Sequence, residues 1–284
     1  MIEGIPARGT SQNPAYKLPF FFKTHPKGGE ASRPARRTIS PFSHHGMNIE
    51  VILSPTLYEG RQLRRPCTAV GVDVLRATTA LCAMFRAGAS EVVPLTTLEA
   101  LQEYAKKGYV VAAERNGKKV EGATLGNSPT EYMSMDLHGA RIAFSSTNGT
   151  RSIVRAADNA RVAAGAFANL GALLEWIGQR EDDLLIVCSG WKGDPSLEDT
   201  LFAGAIIHRL GQAHTLLNDA ASMALDLYGM ACHDVEGYCA KATHVHRLLG
   251  LGYANDIHFA FREDTCPVVP LWHPETSSLK AYKP

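Results

Sequence analysis

The chain has 284 residues, of which 45% are hydrophobic and 20% are charged, and this is the composition of an ordinary globular protein. The net charge is +1, yet residues 1–46 carry seven Lys/Arg and two Asp/Glu, which leaves 22 Lys/Arg against 26 Asp/Glu in residues 47–284. A mildly acidic body without a basic stripe argues against nucleic acid as the main partner, and no apolar stretch approaches the length of a membrane span.

The six cysteines show neither a CxxC spacing nor the density of a disulfide framework. Two of them, Cys82 and Cys188, lie inside apolar runs, as buried reduced thiols usually do. The cysteine pattern and the lack of a membrane span together predict a cytoplasmic protein.

Residues 1–46 differ in composition from the rest of the chain. They contain six prolines with Gly, Ser, Arg and Lys between them, and their one apolar run, residues 18–22, is too short for a signal-peptide core. We predict an extended tail here, although a start of translation at Met47, with a start-site artefact before it, explains the composition equally well. Residues 47–284 are predicted to form the α/β unit, in one lobe or two.

The most informative stretch comes early in this unit. Residues 69–72 form an apolar run of strand-forming type, Asp73 follows directly, and Arg76 precedes a helical apolar pattern that starts at residue 77. At the carboxyl end of a strand, a carboxylate is placed to hold a divalent cation and an arginine to hold an oxyanion. The same two residues are explained equally well as a helix cap and its exposed neighbour.

Two further sites of interest follow along the chain. Strands are predicted over residues 90–95 and 109–113, and the second of them ends at another carboxylate, Glu114. After a polar loop, Asn127 and Ser128 open a short helix with the Ser, Pro and Glu spacing of a capping box, which needs no functional role.

A strand predicted over residues 141–145 runs into a loop of small and hydroxylated residues, and a helix is expected from about residue 152 to residue 160. The loop comprises Thr147, Asn148, Gly149, Thr150 and Arg151. Such a loop exposes backbone N–H groups at a helix N-terminus and attracts phosphate. It lacks the P-loop pattern GxxxxGK[ST], so a nucleoside triphosphate is not implied, and a Gly/Asn turn with a Thr cap explains it equally well.

The most apolar predicted strand, residues 183–188, leads through a polar loop to a helix capped by Ser196. Glu198 and Asp199 lie in the first turn of that helix, where they complement the helix dipole. Alternatively, they add acidic groups to the sheet edge that carries Asp73. On that hypothesis three strand–helix junctions meet at one crevice.

The final third is predicted to be more helical. Apolar repeats indicate helices over residues 214–228 and 231–249 with a break at Gly229, and residues 268–272 indicate a last edge strand. His244 and His246 alternate instead of lying four apart, so a metal-binding pair is not predicted. The alternation of strands and helices predicts an α/β protein of layered α/β/α type with a mixed, mostly parallel sheet.

Several stretches in register resemble one family, the 2-phosphosulfolactate phosphatases. They are VDVLRATT at residues 72–79, LGNSP at 125–129, TNGTR at 147–151, and LED with AGA at 197–199 and 203–205. The chain departs from the family where Ala242 and Val245 replace the Ser and Gly of a Ser-x-His-Gly run. It departs again at Trp191 and Lys192, where small residues are expected.

The resemblance implies a magnesium-dependent phosphomonoesterase with an α/β fold of its own. Its substrate would be (R)-2-phospho-3-sulfolactate, hydrolysed to sulfolactate and phosphate on a route towards coenzyme M. The expected partner is this small phosphorylated anion, without nucleic acid or membrane, and a homo-oligomer stays open.

Phosphoryl transfer depends mainly on positioning and charge stabilisation, and one or two carboxylates suffice for Mg²⁺. The candidate metal ligands are Asp73, Glu114 and Glu198, and the candidate catalytic residues are Asp73, Glu198 and Asp199. The candidate substrate-binding residues are Arg76, Asn127, Ser128, Thr147, Asn148, Gly149, Thr150 and Arg151. Attack by water and a phospho-Asp73 intermediate both stay open, although the DxDx[TV] pattern of aspartyl-phosphate phosphatases is absent.

Two other functions stay open at this point. The first is a phosphatase for another small phosphorylated hydroxy acid. The second is a non-catalytic protein that binds oxyanions with the same loops.

Overall fold

The structure, a computed structural model, describes residues 46–58, 67–157, 161–211 and 214–283, apart from the side chains of Arg151, Arg155 and Ala157. These residues belong to one unit that begins at Ser40. The predicted tail lies outside the described residues except for Gly46, and it stays a prediction.

The described part of the chain contains eleven strands, which form one mixed sheet. They are β1 (Asn48–Ile52), β2 (Cys67–Val72), β3 (Glu91–Pro94), β4 (Val110–Arg115), β5 (Lys118–Lys119), β6 (Arg141–Ser145), β7 (Arg161–Gly165), β8 (Asp183–Cys188), β9 (Thr215–Leu216), β10 (Val269–His273) and β11 (Ser278–Tyr282).

Ten α-helices lie within the same described ranges. They are α1 (Ala77–Arg86), α2 (Glu99–Lys106), α3 (Pro129–Met133), α4 (Gly149–Ala157), α5 (Leu170–Gly178), α6 (Leu197–Leu210), α7 (Asp219–Ala231), α8 (Val235–Cys239), α9 (Thr243–Gly250) and α10 (Ala254–Ala260). The prediction of an α/β protein with a mostly parallel mixed sheet is confirmed.

The sheet consists of two parallel blocks joined by a hairpin. Its strand order is β5-β4-β6-β3-β11-β10-β7-β2-β8-β1-β9. β4, β6 and β3 run parallel in one block, and β7, β2, β8, β1 and β9 run parallel in the other. Three successive antiparallel pairings, β3 with β11, β11 with β10 and β10 with β7, separate the blocks, which therefore run in opposite directions.

Strand twist brings the carboxyl ends of the two blocks towards each other. Neighbouring strands rotate by about 20–25°, so the rotation over the five steps from β6 to β2 accumulates to roughly 100–125°. The residues that follow β4 and β6 can therefore meet those that follow β2 and β8, although the blocks are antiparallel. The meeting of these junctions was predicted from the sequence, but from the wrong geometry of a single parallel edge.

The central strands are buried on both faces, which makes the protein three-layered. Along β8, Leu184 and Ile186 pack into a core formed mainly with α5, α6 and α7. Leu185 and Val187 point to the opposite face and pack into a core formed mainly with α1, α3 and α4. This alternation explains why the strand is apolar throughout, as strands covered on both faces usually are.

Three predictions for the C-terminal third are wrong. In place of the single helix expected over residues 231–249, α8 ends at Cys239 and α9 begins at Thr243. The helix break expected at Gly229 does not occur, because α7 continues through this exposed residue to Ala231. The segment expected at the edge, β10, lies inside the sheet between β11 and β7. Its Pro270 is tolerated because the ladder to β7 consists of a single pair, Leu271 with Ala163.

The turn between β4 and β5 was missed from the sequence, where it was taken for part of a polar loop. Asn116 and Gly117 link Arg115 to Lys118 and have φ values of 54° and 80°. Positive φ at both positions is the requirement of a two-residue type I′ hairpin, for which Asn-Gly is the strongest sequence signal. The signal was therefore present in the chain.

The expectations about the cysteines and about membrane-spanning segments can be compared with the described residues. All six cysteines lie there as free thiols, five of them buried. None of the described helices combines the length and the apolar character that a bilayer crossing would need.

A close contact between α6 and α7 yields a stability prediction. A Cβ at Gly204 would overlap the Ala224 carbonyl oxygen and lie 2.6 Å from Tyr228 Cβ, whereas a Cβ at Gly229 would meet no atom within 4 Å. We expect Gly204→Ala to lower the free energy of unfolding by about 1–3 kcal/mol. The control Gly229→Ala should raise it by about 0.5–1 kcal/mol. Urea unfolding measures both, and a wild-type stability of Gly204→Ala would contradict the close packing.

Candidate active site

A cleft of about 80 Å³ opens where the strand–helix junctions meet. Six of the residues predicted from the sequence line it, namely Asp73, Arg76, Glu114, Asn127, Thr147 and Asn148. The other lining residues are Leu75, Asn116, Gly117, Trp191, Lys192, His244, Arg247 and Leu248. Segments separated by more than 170 residues in the chain therefore share one site.

Asp73 acts as a helix cap and as a cleft residue at once. Its Oδ1 accepts a hydrogen bond from the Ala77 N–H at 3.1 Å, while Thr78 Oγ1 accepts one from the Asp73 N–H at 3.0 Å. The side chain, 8% exposed, also lines the cleft. The two explanations of this residue that the sequence left open are thus compatible.

Gly149 is required by its approach to Asp73. A Cβ on Gly149 would lie 2.8 Å from Asp73 Oδ2 and would overlap Ala77 Cβ. The glycine thus allows the N-terminus of α4 to lie directly against the turn that follows β2. This helix begins at Gly149, three residues earlier than predicted.

Two further carboxylates lie next to Asp73 but do not line the cleft. Asp199 accepts N–H bonds from Val74 at 2.8 Å and from Gly190 at 3.1 Å, so each oxygen binds the backbone. Glu198 is 2% exposed, and its Oε2 has no hydrogen-bond partner among the described residues. Both were predicted as catalytic residues, and in the structure neither lines the cleft.

These three carboxyl groups have raised pKa values. Burial, and then the neighbouring Asp199, raises the pKa of Asp73 to about 8. Burial raises the pKa of Glu198 to about 7, and burial followed by the Glu198 charge raises that of Asp199 to about 7. Ionisation of all three groups together is therefore costly, and a bound cation would relieve this cost.

The Glu114 carboxylate accepts hydrogen bonds from the loop of small and hydroxylated residues that follows β6. It accepts bonds from the Thr147 hydroxyl at 3.2 Å and the Thr147 N–H at 3.4 Å, and from the Gly117 N–H. The Thr147 N–H is therefore occupied inside the protein. Asn148 lines the cleft and donates from Nδ2 to the Gly190 carbonyl at 3.3 Å, which joins this loop to the one after β8.

The residues around Asn127 divide into a cleft residue and a cap. Asn127 is buried, and its Oδ1 has no hydrogen-bond partner among the described residues. Ser128 does not line the cleft: its Oγ accepts the Glu131 N–H at 3.3 Å as the N-cap of α3, as the capping-box pattern predicts. The Ser128 hydroxyl also donates to Asp256 Oδ1 at 2.7 Å.

Thr150, the fourth residue of the loop, does not line the cleft. The Thr150 N–H donates to Ser146 Oγ at 3.1 Å and its hydroxyl to the Ser146 carbonyl at 3.2 Å, so this residue closes the first turn of α4. Arg151 lies in the same helix, and its side chain is outside the described part of the structure. Its anion-binding role stays a prediction.

One part of the cleft lining, called here the positive wall, carries positive charge around an indole ring. Lys192 Nζ lies 4.7 Å and the Arg247 guanidinium carbon 5.7 Å from the centroid of the Trp191 ring. His244 packs edge-on against the same ring at 5.4 Å. Burial, and then the Arg247 charge, lowers the pKa of His244 to about 4, so this imidazole is neutral at pH 7.

The residues of this wall were not assigned a role from the sequence. Trp191 and Lys192 were noted as departures from the family resemblance, and that departure was the available signal. Arg247 lies in α9, four residues before Leu251, and nothing in its local pattern separates it from a solvated helix arginine. His244 lines the cleft, whereas His246 on the same helix, α9, is exposed and does not line it.

Nothing in the described ranges forms a preassembled cage of three or more Asp, Glu, His or Cys ligands. The cleft instead offers single oxygen donors, namely the Asp73 and Glu114 carboxylates and the unpartnered Asn127 Oδ1. Oxygen donors of this kind, completed by water, suit Mg²⁺ better than a transition metal.

Comparison with known proteins agrees with this geometry. A family model described as 2-phosphosulpholactate phosphatase matches residues 52–275. The chain belongs to the 2-phosphosulfolactate phosphatase family. The match includes every residue that lines the cleft.

Individual members of the 2-phosphosulfolactate phosphatase family are similar over most of their length. A protein of Thermotoga maritima named "Probable 2-phosphosulfolactate phosphatase" is 39% identical over 203 residues, which cover 72% of this chain and 88% of the relative. Proteins with the same name from Synechococcus sp. and Nostoc punctiforme are 42% identical over 205 residues and 36% identical over 231 residues. Those alignments cover 70% and 78% of this chain and 85% and 94% of the relatives.

Lys192 permits a test of the positive wall. It is exposed and has a φ of 56°, a left-handed conformation that costs a non-glycine residue about 1 kcal/mol or more. We expect Lys192→Gly to leave the melting temperature unchanged or raised, and to weaken binding of inorganic phosphate by roughly fivefold, because a cleft cation is lost. Isothermal titration calorimetry measures the binding.

The matched control is Ser277→Gly, at a φ of 48° in the turn between β10 and β11, outside the cleft lining. It should relieve the same backbone strain and leave phosphate binding at the wild-type value. Equal phosphate affinity in the two variants would remove Lys192 from the anion site.

Proposed function

We propose that this protein hydrolyses the phosphate ester of (R)-2-phospho-3-sulfolactate, with release of sulfolactate and inorganic phosphate, and that it uses Mg²⁺. The observation that carries the proposal is a single cleft lined both by carboxylate and amide oxygens and by three cationic side chains, in a chain of this family. The proposal includes a cytoplasmic location and a place on a route towards coenzyme M, which the family resemblance suggests.

The charges of the cleft suit this substrate. A phosphate, a sulfonate and a carboxylate on a three-carbon frame require several cationic or N–H donors within a small volume. Arg76, Lys192 and Arg247 supply three cationic side chains around a cleft of about 80 Å³. Guanidinium groups bind such oxyanions through paired N–H bonds, and a lysine adds a point charge.

The carboxylate and amide oxygens that line the cleft fit a magnesium ion. Asp73 is the first candidate ligand, because it lines the cleft and lies among carboxyl groups whose pKa values are raised by burial. Glu114 and Asn127 Oδ1 are the further candidates that line the cleft, and Glu198, next to Asp73, adds charge. When bound, Mg²⁺ would neutralise charge on the phosphoryl oxygens and orient the phosphate.

The residues of this chain then have separate tasks. The cations hold the oxyanions, and Trp191 and Leu248 cover the carbon frame and exclude water from one side. Asp73 lies where a carboxylate can orient an attacking water or receive the phosphoryl group. Because phosphoryl transfer depends on charge and position, fixed groups of this kind account for the catalysis.

The proposal is tested by phosphate release from a panel of phosphorylated three-carbon acids. The full-length protein is incubated with 2-phosphosulfolactate, 2-phospholactate and 2-phosphoglycerate, each with Mg²⁺ and with EDTA. We expect turnover of 2-phosphosulfolactate that EDTA abolishes and that added Mg²⁺ restores.

Each of the other outcomes would overturn one part of the proposal, namely the substrate, the metal or the enzymatic activity itself. Turnover confined to an acid without a sulfonate would replace the substrate, and turnover that survives EDTA would remove the metal. Phosphate release from none of these acids would leave a binding protein in place of an enzyme.

Asp73→Asn separates catalysis from folding. We expect a loss of turnover by about 10³-fold or more, since a charged group at the reacting phosphate is removed. The melting temperature should not fall, because burial already disfavours the charged form of Asp73 and Asn keeps an oxygen for the Ala77 N–H. The melting temperature of the wild type, but not of Asp73→Asn, should rise when Mg²⁺ is added.

The control is Asp226→Asn, which neutralises an exposed carboxylate on α7 and should behave as the wild type in both assays. An unchanged rate in Asp73→Asn would exclude Asp73 from the reaction.

A further inference from the structure

A buried carboxylate outside the cleft gathers an unusual set of donors. Asp256, in α10, is 1% exposed and does not line the cleft. Its Oδ2 accepts from Arg76 Nη1 at 2.7 Å, and its Oδ1 accepts from the hydroxyls of Ser128 at 2.7 Å and Thr130 at 2.5 Å. The Thr130 N–H donates to Oδ1 as well, at 3.4 Å. Each of these contacts requires an acceptor, which an ionised carboxylate provides.

The Arg76 guanidinium is fixed from three directions. Nη1 binds Asp256, and Nη2 donates to the Gly117 carbonyl at 2.9 Å. The Tyr253 ring lies beneath the group, with its centroid 3.8 Å from the guanidinium carbon. Arg76 is 3% exposed and lines the cleft, so a planar group is held in one orientation at the substrate site.

The same carboxylate also fixes the segment that carries Asn127. Ser128 and Thr130 begin α3, and Asn127 is the residue directly before them. Asp256 thus determines where two cleft residues lie, Arg76 through an ion pair and Asn127 through the start of α3.

We infer that Asp256 is a positioning residue of this active site, which acts on the substrate through Arg76 and the start of α3. The inference rests on the proposed phosphatase function. It also assigns different tasks to the cations of the cleft. Because Asp256 balances the charge of Arg76, this arginine contributes aimed N–H groups, whereas Lys192 and Arg247 contribute the attraction for the anionic substrate.

A double-mutant cycle tests whether Asp256 acts through Arg76. The full-length wild type, Asp256→Asn, Arg76→Gln and the double variant are compared in kcat, KM and melting temperature. We expect each single variant to lose about tenfold or more in kcat/KM, because the cleft groups are displaced. The double variant should lose clearly less than the product of the two single losses, since the part that acts through Arg76 is lost only once, while the part that acts through the start of α3 remains.

The control pair is Arg161 and Asp182, an ion pair of similar length, 2.8 Å, away from the cleft. Asp182→Asn is expected to keep the wild-type kcat/KM. Losses that multiply in the Arg76 and Asp256 cycle would overturn the inference. A wild-type kcat/KM in Asp256→Asn with a lowered melting temperature would overturn it too, because the pair would then only stabilise the fold.

A second measurement applies if Asp256→Asn does not fold. Asp256, the Gly117 carbonyl and Tyr253 form a seat for a planar cation, so guanidinium at millimolar concentration should restore activity to Arg76→Ala. Methylammonium, which lacks the planar fork, should not. Failure of guanidinium to restore activity would contradict the inference.

The wild type in the same assay separates this inference from the proposed function. If the wild type releases no phosphate, the proposed function is wrong, and the cycle is measured on the binding of inorganic phosphate by calorimetry. A loss of phosphate affinity in Asp256→Asn that is smaller in the Arg76→Gln background still supports positioning. Unchanged affinity in Asp256→Asn overturns it.

Discussion

The site depends on one buried carboxylate that joins two junctions. Asp199 accepts the Val74 N–H with one oxygen and the Gly190 N–H with the other, and so ties the turn after β2 to the loop after β8. The bonds hold a negative charge beside Asp73 and Glu198, where burial makes each charge costly. The two backbone bonds keep Asp199 in this position. The cost of burying its charge therefore shows in the raised pKa values of Asp73, Glu198 and Asp199. This acidic cluster is thus a consequence of how the junctions are joined.

Opposite charges within one cleft have different partners in the protein. The acids of this cluster are held by backbone N–H groups, which stabilise a carboxylate without neutralising it. Lys192 and Arg247 lie on an aromatic ring, which holds a cation in place without supplying a counter-charge. Arg76 differs, since Asp256 balances it fully. The cleft therefore keeps both signs of charge available for ligands, a cation at the acidic cluster and an oxyanion at the positive wall.

The sequence predicts the local features well and the assembly less well. Strands such as β8 and the cap of α3 follow from apolar runs and from a capping box, both of which are local. For Asp73 and Gly149 the sequence left two roles open, a helix cap or turn and a ligand-binding residue. It could not decide between them, since both roles use the same residue types. Arg247 and Asp256 could not be found, because their surroundings come from segments distant in the chain, and Lys192 stood out only as a departure from the family resemblance. Asn116 and Gly117 were within reach, since Asn-Gly marks a type I′ turn on its own.

The position of the β10–β11 hairpin explains why a cleft exists at all. An even number of antiparallel pairings between the blocks would leave β6 and β2 parallel, with their carboxyl ends spread along one edge of the sheet. The hairpin makes three such pairings, which reverses one block relative to the other. With the accumulated strand twist, the reversed ends close on each other from two sides. Glu114 and Thr147 then line the same cleft as Asp73, although the last two strands of the chain contribute no residue to its lining.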